Sequence, residues 1–463
     1  MTDRKQLVVV GGGPGGYPAA FLAADKGLHV TMVDQEPNPG GVCLYRGCIP
    51  SKALLHIAKV IGESREAKKW GVSFGEPTLD LDKIRAFKDG VVAKLTGGLG
   101  QLRARRKIDF VQGRAKLTGA STLAVDGKEL SFENAIIATG SRPAAIPGLP
   151  SSPRIWDSTG ALNLERIPKT LLVVGGGYIG LELGSVYAAL GTNVTVVEMM
   201  PSLLPGADSD LVKPLAQKLQ KEFAAILLGT KVAEMSEQAD GIRVRFEGDG
   251  VKEPVQVFDR VLVSVGRKPN SADLGLETAG VRIGSKGFIE VDPQRRTSAS
   301  SVFAIGDVAG EPMLAHKATH EGRVAVEAIL GKKSVFEPRA IPAVVFTDPE
   351  LAWCGLTEAD AKKGNVEVQV ARFPWAASGR ATTLDRHDGV TKLVCEPGSG
   401  RVLGVGIAGP GAGDMIAEGA LAIEMGATAE DLALTIHPHP TLSETVMEAA
   451  EVFLGHCTHI YRK

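Results

Sequence analysis

Two matching stretches decide the fold of this chain: Leu7-Val8-Val9-Val10-Gly11-Gly12-Gly13-Pro14-Gly15-Gly16 and Leu171-Leu172-Val173-Val174-Gly175-Gly176-Gly177-Tyr178-Ile179-Gly180. In each, an apolar run typical of a buried β-strand enters the spacing G-x-G-x-x-G. The first glycine permits a tight turn, the second lets a pyrophosphate approach the backbone, and the third lets the next helix pack on the strand. One copy can arise for structural reasons alone, but two copies in the same context predict two dinucleotide-binding units.

The strand that follows each fingerprint ends in an acidic residue. Asp34 in the first unit and Glu198 in the second each stand 23 positions after the first glycine of their fingerprint. A carboxylate at that point accepts hydrogen bonds from a ribose diol and repels a 2′-phosphate. Positions 199–201 are Met-Met-Pro, with no arginine or lysine to hold such a phosphate. The second unit is therefore predicted to prefer NAD over NADP.

Three further apolar runs extend the duplication. The runs at 135–140 and 261–266 both end in glycine near the close of their units, and a third, at 302–307, ends in Asp307. Two complete dinucleotide domains are therefore expected. Asp307 has two interpretations, either the N-cap of a following helix or an acid that binds the hydroxyl chain of a sugar-like ligand.

A pair of cysteines lies between the first acid and the remaining strands of its unit. Cys43 and Cys48 would be about 8 to 9 Å apart in a regular helix, beyond the Cα limit of roughly 7 Å for a disulfide. If they pair, the backbone between them must be distorted, which Gly47 and Pro50 would allow. The alternative is two unrelated buried thiols. Placement beside a nucleotide site favours a redox pair.

Lys52 stands four positions after Cys48, so both side chains can lie on one helix face. A cation there would lower the pKa of a thiolate, although a solvated surface lysine is the alternative. The other cysteines, Cys354, Cys395 and Cys457, have no partner at useful spacing and are interpreted as core or surface thiols.

Near the C-terminus, two histidines alternate with prolines in His437-Pro438-His439-Pro440. The restricted backbone would present an imidazole rigidly, which suits a proton-transfer group. Glu444 begins or lies within the next helix and could accept the Nδ1–H of one ring, which would fix its tautomer. Spacing alone does not choose between the two histidines.

Length and composition set the broad class. A chain of 463 residues predicts two to three domains, and 52 Lys+Arg against 53 Asp+Glu offer no field for nucleic acid or an anionic membrane. The N-terminal residues run directly into the first strand, so no signal or transit peptide is expected, and no run is long enough to span a bilayer. Five cysteines in a reducing cytoplasm favour a catalytic over a structural disulfide. No metal site is expected.

Together these motifs resemble the class I pyridine nucleotide-disulfide oxidoreductases over essentially the entire chain. The resemblance rests on GGVCLYRGCIPSKALLH at 40–56, GGGYIGLELG at 175–184, FAIGD at 303–307, MLAHKA at 313–318 and HPHPTLSE at 437–444. It implies an α/β fold with two Rossmann-like dinucleotide-binding domains and a C-terminal α+β dimerisation domain. The implied boundaries are 1–143 with 270–340 for FAD, 144–269 for NAD, and 341–463 for the interface.

The resemblance also implies roles for individual residues. Cys43 would exchange with substrate, Cys48 would lie against the flavin, and His439, oriented by Glu444, would be the base. Lys52 would contact the flavin with Glu182 as its ion-pair partner. The residues expected around FAD are Gly11, Gly13, Gly16, Asp34, Lys52, Ala115, Asp307 and Ala315. Those expected around NAD are Gly175, Gly177, Gly180, Glu182, Glu198, Val232 and Gly266.

The activity that the resemblance implies is oxidation of protein-bound dihydrolipoamide to lipoamide, with reduction of NAD to NADH, by a homodimer. The implied partners are lipoyl domains of a 2-oxoacid dehydrogenase complex, or the H protein of the glycine cleavage system. One alternative is an NADPH-dependent disulfide reductase of the glutathione reductase type, which Glu198 disfavours. A noncatalytic scaffold is the other, and retention of all the catalytic residue types argues against it. Arg46, in the loop between the cysteines, departs from the small or apolar residue usual in relatives.

Overall fold

The structure is a computed structural model that describes residues 5–461. Residues 1–4 and 462–463 lie outside this range. The expectation about targeting segments concerns the first of these residues and therefore stays a prediction. Within the described range, no helix combines the length and apolarity that a membrane crossing requires.

The first unit is a seven-stranded sheet covered by helices. Its strands are β1 (Lys5–Val10), β2 (Val30–Asp34), β3 (Asp109–Gln112), β4 (Ala115–Gly119), β5 (Thr122–Val125), β6 (Lys128–Ile137) and β17 (Val302–Ala304). Its helices are α1 (Gly16–Asp25), α2 (Gly41–Arg46), α3 (Cys48–Glu66), α4 (Leu81–Arg105) and α8 (Ala315–Ile329). The strand order is β3-β2-β1-β6-β5-β4, and β17 also pairs with β6. β1 and β17 pair in parallel with the end of β6, β2 pairs in parallel with β1, and β3 pairs in parallel with β2 at the edge of the sheet. Burial on both faces explains the apolar sequences of β1, β2 and β17, whereas the edge strand β3 is more polar and partly exposed.

The second unit repeats this plan. Its parallel strands are β8 (Ile155–Trp156), β9 (Thr170–Val174), β10 (Asn193–Val197), β11 (Ala225–Leu227) and β15 (Arg260–Val263), in the order β11-β10-β9-β15-β8. Three antiparallel strands lie beside them: β12 (Lys231–Glu237), β13 (Ile242–Glu247) and β14 (Val255–Phe258). The helices are α5 (Ser158–Leu162), α6 (Tyr178–Ala189) and α7 (Ser209–Glu222). In both units the fingerprint strand lies between the strand that ends in the acid and the late apolar strand. The predicted duplication is confirmed.

A two-stranded antiparallel ribbon joins these units. It consists of β7 (Ser141–Pro143) and β16 (Arg267–Pro269). The chain leaves the first unit through one strand and returns through the other. The predicted boundaries at 143/144 and 269/270 fall at the ends of this ribbon and remain a prediction.

The C-terminal unit has a five-stranded antiparallel sheet with helices on it. The strands are β18 (Ala343–Val345), β19 (Leu351–Gly355), β20 (Gln369–Pro374), β21 (Val390–Cys395) and β22 (Val402–Ala408), in the order β18-β19-β22-β21-β20. The helices are α9 (Glu358–Gly364), α10 (Gly379–Thr383), α11 (Ala412–Met425), α12 (Ala429–Leu434) and α13 (Glu444–Leu454). Short 3₁₀ turns occur at Ala67–Trp70, Gly306–Val308 and Trp375–Ala377.

A buried ion cluster fastens this third unit to the second. The Lys392 ammonium, almost fully buried in β21, lies 2.6 Å from Asp208 and 2.7 Å from Asp210 at the start of α7. It also lies 3.0 Å from Glu358 on α9. Arg372 of β20 also pairs with Asp210 and with Glu358, so two cations and three carboxylates from two units form one cluster that links these units.

Candidate active site

The two glycine fingerprints have the same backbone geometry. Gly11 and Gly175 have φ angles of 102° and 107°, a region that side chains disfavour, and added Cβ atoms would collide with the neighbouring strand. Each donates its N–H to the strand that ends in the acid, over 2.8 Å to Val33 and 2.9 Å to Val197. The turn predicted at the first glycine is therefore present in both units.

The third glycines are packing contacts, whereas the second glycines face open space. An added Cβ at Gly16 or Gly180 would overlap a carbonyl oxygen of its own fingerprint turn. At Gly177 no atom would lie within 4 Å of such a Cβ, and at Gly13 only one lies that near, at 3.9 Å. A pyrophosphate thus has access to the backbone at the N-terminus of α1 and α6, where helix geometry favours an anion. This arrangement fits one dinucleotide in each unit.

Both strand-end acids turn back onto their fingerprints. Asp34 accepts a hydrogen bond from the Gly12 N–H, and Glu198 accepts one of 2.6 Å from the Gly176 N–H. Burial raises the pKa of Asp34, although its backbone hydrogen bonds oppose the shift. Each carboxylate oxygen keeps a free lone pair, so both acids remain able to bind a ribose hydroxyl.

A cavity of about 390 Å³ brings many of the predicted FAD residues together, a size within the usual range for ligand sites. The predicted residues on its wall are Gly11, Gly13, Asp34, Cys43, Cys48, Lys52, Glu182, Asp307 and Ala315. Ala115 lines a neighbouring cavity that shares Asp34. The second fingerprint's glycines, Gly175, Gly177 and Gly180, are not among the residues that line either cavity, and neither are Glu198, Val232 and Gly266. Tyr178 and Ile179 of the same fingerprint do line the first cavity. The NAD contacts therefore stay a prediction.

The chain brings Cys43 and Cys48 together by breaking a helix between them. α2 ends at Arg46, α3 begins at Cys48, and Gly47 between them has φ −144° and ψ −114°. A Cβ on Gly47 would come within 2.9 Å of the Val42 carbonyl oxygen, so the close approach favours glycine. The predicted distortion is confirmed. Both cysteines are free thiols in this structure and share a hydrogen bond.

The surroundings of the two thiols make them unequal. The hydrogen bond from Cys43, with the nearby charge of Lys52, lowers the pKa of Cys48 to about 7 against the opposing effect of burial. The same hydrogen bond and burial raise the pKa of Cys43. Cys48 therefore ionises first, and its exposed face lines the cavity.

Lys52 is held by a buried carboxylate from the second unit. Its ammonium lies 2.7 Å from Glu182, which also accepts hydrogen bonds of 3.0 Å from the Ser51 hydroxyl and the Phe346 N–H. The same ammonium lies 4.6 Å from the centre of the Phe346 ring. The predicted pair of Lys52 and Glu182 is thus present. Phe346 was not predicted, because no local pattern relates it to a lysine 294 positions earlier.

Asp307 is not the N-cap of the 3₁₀ turn in which it lies, because that position belongs to Ile305. Its carboxylate accepts a 2.5 Å hydrogen bond from the Ser141 hydroxyl, which in turn accepts one of 2.6 Å from Arg267. All three line the cavity. The sequence prediction missed Ser141 and Arg267. Each directly follows a glycine that ends a predicted strand, and this position could have indicated a residue at the cavity.

The structure separates the two C-terminal histidines. His437 is almost fully buried, with both ring nitrogens engaged, 2.8 Å from the Thr435 carbonyl and 2.7 Å from Glu418. His439 is 77 % exposed, and its Nδ1 lies 2.8 Å from Glu444, the first residue of α13. Only the exposed ring has a nitrogen available for substrate.

Glu444 is held as a carboxylate with a fixed orientation. Burial opposes its ionisation, but hydrogen bonds from the Thr441 N–H and from His439 lower its pKa overall. The Thr441 bond is 2.6 Å long and occupies the oxygen that His439 does not use. The wall of the cavity that holds the two thiols does not include His439 of the same chain.

Arg46, the departure from the usual pattern, forms an ion pair with Glu36. Both side chains line the cavity near Asp34, and the charge of Arg46 favours ionisation of that acid. The arginine is thus accommodated without disturbing the thiol pair.

Comparison with known proteins identifies the family. The profile described as pyridine nucleotide-disulphide oxidoreductase matches residues 5–322, and the dimerisation domain of the same class matches residues 341–450. The dihydrolipoyl dehydrogenase of Vibrio cholerae is 49% identical over 462 residues, covering 99% of this chain and 97% of that protein. This chain belongs to the dihydrolipoyl dehydrogenases. The dihydrolipoyl dehydrogenase of Geobacillus stearothermophilus is 47% identical and covers 99% of this chain and 98% of its own length.

Solved structures show the same architecture. LpdA of Mycobacterium tuberculosis is 28% identical with a TM-score of 0.88, covering 96% of this chain and 99% of that one. The HOCl-induced flavoprotein disulfide reductase RclA of Escherichia coli is 28% identical with a TM-score of 0.86, at the same coverage. The predicted fold class and family are confirmed. As a dihydrolipoyl dehydrogenase, the chain is an oxidoreductase of a family that uses FAD and NAD, and its dimerisation domain supports a homodimer.

Proposed function

We propose that this chain oxidises protein-bound dihydrolipoamide to lipoamide and reduces NAD to NADH. The observation that carries the proposal is the unequal thiol pair, with Cys48 made acidic beside the Lys52–Glu182 ion pair. A disulfide of these two thiols has a good leaving group in Cys48, which directs an incoming thiolate to Cys43. Glu198 supports NAD as the acceptor because it opposes a 2′-phosphate.

His439 starts the reaction as general base. With Nδ1 donating to Glu444, Nε2 is free to take the proton from one substrate thiol. The substrate thiolate then attacks Sγ of Cys43 in the oxidised pair, a mixed disulfide forms, and Cys48 leaves as a thiolate. The second substrate thiol then attacks the mixed disulfide and its proton passes to the leaving Cys43 sulfur, which closes the lipoyl ring and releases Cys43 as a thiol. His439 afterwards gives its proton to solvent. Two electrons thus pass from the substrate to the cysteine pair.

The cavity supplies the other half of the reaction. FAD, when bound there, supplies the two-electron relay between the cysteine pair and NAD. Lys52 holds a positive charge at the thiolate, and Glu182 keeps that ammonium in place. Asp307, fixed by Ser141, offers an acceptor to the hydroxyl chain of the cofactor. In this proposal FAD belongs to the domain of residues 1–143 with 270–340, whose cavity holds the cysteine pair, and NAD to the domain of residues 144–269, which carries Glu198.

Each site is completed by two subunits in this proposal. His439 is exposed and is not part of the cavity wall around the thiols of its own chain, which supports a role at the cavity of a partner subunit across a two-fold interface. The interface domain of residues 341–463 presents it. The substrates are lipoyl groups carried by 2-oxoacid dehydrogenase complexes or by the glycine cleavage H protein, in the reducing cytoplasm.

Steady-state turnover tests the proposal. We expect NAD-dependent oxidation of dihydrolipoamide, with NADP less efficient by a factor on the order of 10 to 100. Lipoylated domains of the two carrier types should then reveal which one has the lower KM. Faster reduction of oxidised glutathione with NADPH would instead support the disulfide reductase alternative. If neither substrate is turned over, the noncatalytic scaffold is the interpretation that remains.

A further inference from the structure

The C-terminal segment folds back onto helix α13 and brings four metal-ligating side chains together. The Cys457 Sγ lies 3.0 Å from one carboxylate oxygen of Glu448, and the His459 Nδ1 contacts the other. Glu451, one turn further along α13, accepts a backbone hydrogen bond of 3.4 Å from Thr458 of the same segment. A thiol, an imidazole and two carboxylates therefore converge on one face of the helix.

The charge of this cluster is poorly compensated. Glu448 is 5% exposed, and its ion-pair partner is the exposed ring of His459. Across residues 5–461, no lysine or arginine lies within ion-pair distance of this carboxylate. A carboxylate removed from water is costly unless a cation accompanies it. The other close group of acids, around Asp208, differs because Lys392 lies among its carboxylates.

The donor atoms have the spacing and the chemistry of a zinc site. Ligand atoms of Glu448, Glu451 and Cys457 all lie within 4.8 Å of one another. The His459 ring contacts Glu448 but lies outside this closest group. Bonds of about 2.0 to 2.3 Å in a tetrahedral zinc site place ligand atoms roughly 3.3 to 3.8 Å apart. Small movements would bring the thiol and the two carboxylates to this spacing, and the exposed His459 ring would have to turn toward them to complete the site. The mixed sulfur, nitrogen and oxygen set suits Zn²⁺, whereas calcium and magnesium require oxygen ligands.

We propose that Glu448, Glu451, Cys457 and His459 bind one Zn²⁺ ion per chain, outside the redox centre. Binding forms a bond from zinc to the Cys457 sulfur and releases the thiol proton to solvent. The dication offsets the two carboxylates and ties the C-terminal segment to α13, the helix whose first residue is Glu444. This revises the expectation from the sequence that the chain holds no metal, since residues of the helix and the segment meet only in the fold.

Metal titration of the holoenzyme tests this site, with Cys43 and Cys48 kept oxidised as a disulfide so that neither can bind metal. After dialysis against a chelator, we expect one equivalent of Zn²⁺ to bind by calorimetry, with proton release. Co²⁺ in its place should give tetrahedral absorption bands in the red, where oxidised flavin does not absorb. Cys457→Ser should weaken Zn²⁺ binding by a factor on the order of 100 and remove the thiolate signature of Co²⁺.

A pair of histidine variants provides the matched control. His459→Ala should weaken Zn²⁺ binding, whereas His456→Ala, on an exposed side chain of the same segment, should not. This pair decides the matter if Cys457→Ser does not fold. The proposal is wrong if oxidised wild type binds no zinc, or if the two histidine variants bind it equally well. Circular dichroism shows whether each variant is folded, so these outcomes do not depend on the proposed function.

Discussion

Replacing Glu444 by glutamine should disable the proposed base, His439, although the glutamine side chain has the same size and shape as that of glutamate. The Thr441 N–H lies 2.6 Å from one Glu444 oxygen and requires an acceptor there. A glutamine must therefore turn its carbonyl to Thr441 and its amide NH₂ to His439 Nδ1. The opposite orientation would set two donors against each other and leave a donor unpaired, at a cost of about 1 to 3 kcal/mol. The protein thus selects the orientation that harms catalysis.

With an NH₂ group facing it, Nδ1 of His439 has to accept, so the proton of the neutral ring moves to Nε2. Nε2 then cannot take a proton from dihydrolipoamide. Loss of a general base with the wrong tautomer costs a factor of about 10² to 10⁴ in kcat/KM, or roughly 3 to 5 kcal/mol.

Two assays on the same variant separate this effect from misfolding. The kcat/KM for dihydrolipoamide with NAD should fall, while oxidation of NADH by ferricyanide, which needs no proton from a dithiol, should stay near wild type. Glu430→Gln, an exposed glutamate at the start of α12, is the matched control. A loss of less than about tenfold in the first assay, or equal losses in both, would refute the tautomer argument.

Three further predictions concern other parts of the molecule. The partially reduced holoenzyme should show a long-wavelength absorbance that grows as pH rises through about 7, because the Cys48 thiolate forms above its pKa, and Cys48→Ser should abolish it. Glu198→Arg should improve NADP use relative to NAD by a factor on the order of 10 to 100 in kcat/KM; an unchanged preference would contradict the ribose assignment. Mixed dimers of Cys48→Ser and His439→Ala chains, formed at random, should recover about a quarter of wild-type activity, because half the dimers are mixed and half their sites are intact, whereas no recovery would place both residues in one subunit.

A fourth prediction concerns stability. Lys392→Met leaves the buried Asp208 carboxylate without its cation and should lower the free energy of unfolding by roughly 3 to 5 kcal/mol. Chemical denaturation measures the loss. Lys362→Met, at an exposed position of α9, should change the same quantity by less than about 0.5 kcal/mol, and equal effects would show that the cluster is not stabilising.

The features that sequence predicted well are those fixed by neighbouring residues. A strand that enters a glycine turn constrains only a few successive positions, so both fingerprints and both strand-end acids could be predicted. The break at Gly47 was also local, because the spacing of the two cysteines demanded it. The two dinucleotide-binding domains followed from these motifs, whereas the C-terminal α+β domain was implied by the family resemblance.

What could not be predicted depends on contacts between distant parts of the chain. Phe346 reaches Lys52 only because separate units pack together, and Arg267 reaches Ser141 only because two strands distant in sequence, β7 and β16, pair. The choice between His437 and His439 rested on resemblance alone, because it depends on which ring a helix buries. The proposed metal-binding cluster was missed for a similar reason, because it forms only when the segment after α13 folds back onto that helix.

The ribbon of β7 and β16 also bears on how such an enzyme can be rebuilt. Since Ser141 pairs with Pro269 and Pro143 with Arg267, the chain leaves the first unit for the second and returns to it at one point. Segments whose two ends meet in this way can be exchanged as modules, because neither new junction has to bridge a gap. A cassette with a different nucleotide preference could thus be grafted at this point, provided that its helix still supplies the carboxylate of Glu182 to Lys52. Any exchanged segment, natural or engineered, therefore has to keep Glu182, because Lys52 in the rest of the chain depends on that carboxylate.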